Sequence, residues 1–74
     1  SSRFGDNEYT AALLEENAAR LTRDGDIDTM MTNYHTAHEE ADKAEQAAQS
    51  ARRFYARAKE SRAAAQRIRK QWKR

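Results

Sequence analysis

The segment His35-Thr36-Ala37-His38-Glu39-Glu40-Ala41-Asp42 puts two imidazoles and three carboxylates within eight residues. On one helix, His35 and Glu39, four apart, could converge on a metal ion. Zinc helices, however, use H-E-x-x-H, with histidines four apart, a glutamate between them and a third ligand from elsewhere. Here the histidines are three apart and no third ligand is evident. The segment therefore reads as a polar helix face with Glu39 pairing Lys43, and no metal or other cofactor is expected.

A second acidic cluster, Asp24-Gly25-Asp26-Ile27-Asp28, alternates carboxylates as a calcium loop does. In that loop a glycine is required at the sixth position and a bidentate acid at the twelfth. Counted from Asp24 these fall on Thr29 and His35, so the cluster reads as turn and helix-cap chemistry. No nucleophile has a base and an orienting group at hand, and no glycine-rich phosphate loop is present. The expectation is a protein without catalytic residues.

The remaining chemistry is charge. Cutting the chain at Ser50 separates four Lys/Arg against eleven Asp/Glu from ten against one. Such asymmetry points to a basic interaction arm. Arginine's planar donors suit phosphate oxygens, and Trp72 or Tyr55 could stack on an unpaired base. The residues expected to meet RNA, DNA or an acidic protein surface are Arg52, Arg53, Arg57, Arg62, Arg67, Arg69, Lys70, Lys73 and Arg74. The competing reading makes them the solvated face of an alanine-rich helix, with positive charge complementing the dipole at its C-terminal end.

Positioning these groups falls to helices. The chain has 74 residues, no proline, no cysteine, two glycines and fifteen alanines, and 35% of it is charged. So short a chain buries only about 60% of the surface it exposes when unfolded. Without cysteine there is neither disulfide stapling nor thiol chemistry. No apolar run approaches the roughly 20 residues of a membrane span. The expected setting is soluble and intracellular, in the cytoplasm.

Gly5 and Gly25, each beside aspartate, mark the expected boundaries. The fold class expected is all-α: an antiparallel helical hairpin in one small domain, with a short first helix over 7–23 and a long, coiled-coil-like second helix over 27–74. Tyr9, Leu13, Leu14, Ala18 and Leu21 would form the stripe of the first helix. Small or apolar residues recur by threes and fours from Ile27, Met30, Tyr34 and Ala37 onward to Trp72, with one irregular step at Ala44 to Ala47. A three-helix bundle broken near residues 48–53 is the competing fold.

A first helix of about 17 residues covers only the first third of the second. Ala44, Ala51, Phe54, Tyr55, Ala58, Ala65, Ile68 and Trp72 would then need another helix, from a second copy or a larger complex. The functional expectation is a small non-enzymatic binding protein whose basic C-terminal helix engages RNA or DNA. The alternative is a coiled-coil adaptor, inhibitor or structural subunit that packs on protein.

Overall fold

The computed structural model describes residues 2–72, with side chains described for residues 5–72. Two helices, α1 (Ser2–Ala37) and α2 (Ala41–Trp72), pack antiparallel against each other in a hairpin measuring 57 × 13 × 13 Å. Both exceed 30 residues, so the short first helix is corrected: α1 runs straight through Gly25 and ends fourteen residues past the expected boundary at 23. The second helix begins at Ala41, not at 27.

The chain reverses at His38-Glu39-Glu40 without glycine or proline. Glu39 takes φ of 59° in the left-handed region. The Glu40 N–H donates to the His35 carbonyl at 2.8 Å, and the Glu39 N–H to the Thr36 carbonyl at 3.1 Å. These are the 6→1 and 5→2 bonds of a Schellman cap, which satisfy carbonyls that the helix end leaves free. Glycine ordinarily holds the left-handed position; glutamate holds it here at a conformational cost. Side chains reinforce the turn. His35 Nδ1 lies 2.8 Å from Glu40 Oε1, Lys43 Nζ lies 3.3 Å from Glu40 Oε2, and the Tyr34 and His38 rings meet at 4.3 Å. The segment weighed as a metal ligand set is thus the clasp of the turn, with Glu40 in place of Glu39 as the partner of Lys43.

The interface is built from small residues. Ala11, Ala18 and Gly25 on α1, and Ala44, Ala51, Ala58 and Ala65 on α2, are buried at seven-residue intervals. Seven residues are two turns, so each set forms one row along its helix. Rows of small side chains let the helix axes approach closely and replace transfer energy with dense dispersion contact. Leu14 and Leu21 on α1, and Phe54, Ile68 and Trp72 on α2, sit between the rows partly buried. No large side chain is fully buried among the described residues.

Gly25 serves this close approach. Its φ is ordinary for a helix. The Tyr55 ring lies where a Cβ would go, with Cε1, Cδ1 and Cζ at 2.7, 2.9 and 3.0 Å from that position. Ile27, Met30 and Tyr34, expected to start the seam of the second helix, lie on α1 and are exposed. Tyr9 and Leu13 also face outward, whereas Leu14, Ala18 and Leu21 turn toward α2.

Candidate nucleic-acid interface

Along α2 the heptad seam divides the basic residues by direction. Residues beside the seam reach across to α1. Arg69 donates through Nε and Nη2 to both carboxylate oxygens of Glu15, at 3.1 and 2.7 Å, and through Nη1 to Glu8. Seven residues earlier, Arg62 Nη1 approaches Thr22 Oγ1 at 3.4 Å, and seven before that Tyr55 OH meets Thr29 Oγ1 at 3.1 Å. As α2 advances one heptad, α1 retreats one, through Thr29, Thr22 and Glu15. The result is a ladder of polar contacts along one flank of the hairpin.

The ladder sets the electrostatics of that flank. The Arg69 guanidinium, hydrogen-bonded to Glu15, holds that carboxyl below the usual carboxylate range, and the two glutamates raise the arginine in turn. Tyr55 OH also donates to Asp26 Oδ1 at 2.5 Å, and this bond to a carboxylate pushes the phenol up. At the turn, Glu40 is held low first by its bond to His35 and then by Lys43. In the seam, Asp28 Oδ2 is shut off from solvent without a hydrogen-bond partner among the described residues.

Residues opposite the seam point away from α1. Of these Arg53, Lys59, Arg67 and Lys70, together with Arg57 on the seam's other flank, are exposed and form no ion pair among the described residues. Arg52 lies on the same side and pairs with Glu45 of its own helix at 3.2 Å. From Arg53 to Lys70 this ridge runs about 25 Å at 1.5 Å per residue. Glu60 is the one acid on α2 beyond Glu45. Of the nine basic positions expected at the interface, Arg53, Arg57, Arg67 and Lys70 are in this exposed set with Arg52 beside them, and Arg62 and Arg69 belong to the ladder; Lys59 joins the set without having been expected there. Lys73 and Arg74 lie outside the described residues.

The eight residues expected to pack on another helix are brought together by α1 itself. Ala44, Ala51, Ala58 and Ala65 are buried, Phe54, Ile68 and Trp72 partly so, and Tyr55 seats against Gly25. Sequence reasoning missed the acceptors of the ladder, Glu8, Glu15, Thr22 and Thr29. Their signal was present: residues 8, 15, 22 and 29 are all polar and seven apart.

Among the described residues no group of three or more His, Asp or Glu is placed to hold a metal ion, and no helix is long and apolar enough to cross a membrane. Shallow hollows flank the seam, one at the turn beside Thr32, Thr36, Glu40 and Ala44, another beside Glu15, Ala18 and Arg62. The chain matches no protein-family model, no curated protein and no solved structure.

Proposed function

We propose that the hairpin is a non-enzymatic binding module that lays the outer ridge of α2 along the phosphate backbone of RNA or DNA. The observation that carries this reading is the division of labour on α2. Arg69 and Arg62 are engaged by α1, while Arg53, Arg57, Lys59, Arg67 and Lys70 stay exposed and unpaired among the described residues. Fixed on a helix braced along its whole length, these donors lose less freedom on meeting a phosphate row than they would on a loose tail. A helix ridge without base-reading geometry binds phosphates and does not specify sequence.

Binding should weaken steeply with salt. Four or five neutralised phosphates give a slope of log K against log salt of about −3 to −4.5. Fluorescence anisotropy with a labelled single strand and a labelled duplex measures it. Reversing Arg53 and Arg67 together should abolish binding with the circular dichroism unchanged. No binding to either probe at low salt would overturn the reading.

A second reading has its own support. Six large apolar side chains of α1 are exposed, a pattern that marks protein contact surfaces. On this reading the hairpin is a coiled-coil adaptor or structural subunit whose basic ridge forms the rim of a protein interface. A dependence of partner capture on α1 apolar residues, and not on Arg53 and Arg67, separates the two.

A further inference from the structure

The outer face of α1 repeats the logic of its inner face. Its inward row, buried at 11, 18 and 25 and partly buried elsewhere, runs through residues 7, 11, 14, 18, 21, 25, 28, 32 and 35. Two residues further on, a second row runs through 9, 13, 16, 20, 23, 27, 30 and 34. An offset of two residues is about 200° around the axis, so this row lies opposite α2. Its ends are apolar: Tyr9 and Leu13 at one, Ile27, Met30 and Tyr34 at the other, with Met31 alongside. They are 67, 45, 56, 68, 53 and 41% exposed respectively.

We infer that this row is the docking surface for the same row of a second copy, with the two α1 helices antiparallel and the two α2 helices outside. Three observations select that occupant. First, the steps along the row are 4-3-4-3-4-3-4, which read the same from either end. A reversed copy therefore meets it in register, Tyr9 over Tyr34 and Leu13 over Met30 of the partner, and each apolar end covers the other.

Second, like charge at the turns disfavours the parallel pair. The turn end, residues 26–50, holds Asp26, Asp28, Glu39, Glu40, Asp42 and Glu45 against Lys43, net −5. The open end is net +5, made of net +7 on α2 (residues 51–72) and net −2 on α1 (residues 2–25). Reversing the second copy sets each acidic turn beside the other's open end, whereas a parallel pair would superimpose the acidic turns. The middle of the row, Glu16, Arg20 and Arg23, carries net +1 in each copy, and this register sets Arg20 over the partner's Arg23 and Glu16 over the partner's Ile27, so the apolar contacts are confined to the two ends.

Third, the area is of the right order. Taking roughly 200 Å² for a large side chain, the six exposed fractions amount to about 600 Å², before exposed Ala12 and Ala19 are counted. A stable complex buries about 800 Å² per partner. A hairpin with no large side chain fully buried among its described residues gains here the second layer that chains below about 80 residues generally need.

The chain lacks cysteine, which makes the test direct. Tyr9→Cys and Tyr34→Cys are prepared separately, mixed without nucleic acid and oxidised. Each variant carries a single cysteine, so any disulfide joins two chains. The expected product is the mixed disulfide; self-linked Tyr9→Cys as the main product overturns the antiparallel pairing. Sedimentation equilibrium of the unmodified chain should give about twice 8.5 kDa at micromolar concentration. Leu13→Glu or Met30→Glu should weaken association at least about tenfold with helicity retained. A monomeric parent chain, or an undiminished dimer in both glutamate variants, overturns the proposal.

Discussion

Replacing Gly25 by alanine sets two effects of known size against each other. In a helix interior alanine is favoured over glycine by about 1 kcal/mol, because glycine loses more backbone freedom on folding. At Gly25, however, the new methyl would stand 2.7 to 3.0 Å from three atoms of the Tyr55 ring. Restoring contact distances of about 3.5 Å means moving that ring by nearly an ångström. Its hydroxyl then leaves Asp26, at 2.5 Å, and Thr29, at 3.1 Å. Overpacking of this kind costs about 1–3 kcal/mol. The clash exceeds the propensity gain, and Gly25→Ala should destabilise the hairpin by about 1 kcal/mol, or roughly 4–8 °C in Tm for a chain of this size. With Tyr55→Ala already present the clash is gone and only propensity remains, so the same substitution should stabilise by about 0.5–1 kcal/mol. Urea unfolding followed by circular dichroism, at one fixed protein concentration, reads both arms of the cycle. A stabilising Gly25→Ala in the parent chain would refute the account of glycine as the seat of Tyr55.

Glu39→Gly should stabilise by about 1 kcal/mol, because Glu39 holds φ of 59° and glycine adopts that conformation without steric cost; a thermal melt suffices to check it. Asp28→Ala should also stabilise, by about 1 kcal/mol, by removing a carboxylate oxygen that is buried without a partner; urea midpoints measure it. Glu15 is held below its ordinary value of 4.5, so its contribution is complete above that pH and is lost as pH falls below it. Glu15→Gln should therefore flatten the acid limb of a stability–pH profile. Tyr55 is raised above 10.0, so its contribution is complete below that pH and is lost as pH rises through the shifted value; Tyr55→Phe should remove that loss, with phenolate absorbance reporting the titration.

Helix content, antiparallel pairing and the seam from Ala44 to Trp72 were legible because alanine, heptad spacing and the absence of proline all point the same way. The position of the turn was not. Glycine beside aspartate ordinarily marks a boundary, yet Gly25 is present to admit the Tyr55 ring, a contact thirty residues away that no local pattern reveals. The actual reversal uses a glutamate in the left-handed region, held by the Schellman bonds and by the His35–Glu40 clasp. The irregular step at Ala44 to Ala47 did not mark it, because both residues lie on α2, beyond the turn. Because α1 carries apolar residues on both faces, periodicity by itself could not choose between Leu14 with Leu21 and Leu13 with Ile27 as the inward set. The split of the basic residues was hidden for a related reason. Whether an arginine stands beside the seam, as Arg69 does, or opposite it, as Arg67 does, depends on a two-residue offset that acquires meaning only once α1 is in place.

The two proposed surfaces are compatible and separable. Pairing through α1 leaves both α2 ridges on the outside of the assembly, facing away from each other, so one phosphate backbone meets one ridge. The dimer therefore adds no contacts to a single short strand. On a polymer long enough to reach both ridges, the second contact becomes intramolecular, and apparent affinity rises without any change in the number of phosphates neutralised per ridge. Met30→Glu should accordingly leave affinity for a short oligonucleotide and its salt slope unchanged, while lowering affinity for a long strand at least about tenfold. Arg53 and Arg67 reversal should lower both. An equal loss on short and long strands in Met30→Glu would mean that the α1 face and the α2 ridge are not independent, because the substitution would then be acting through the shared seam.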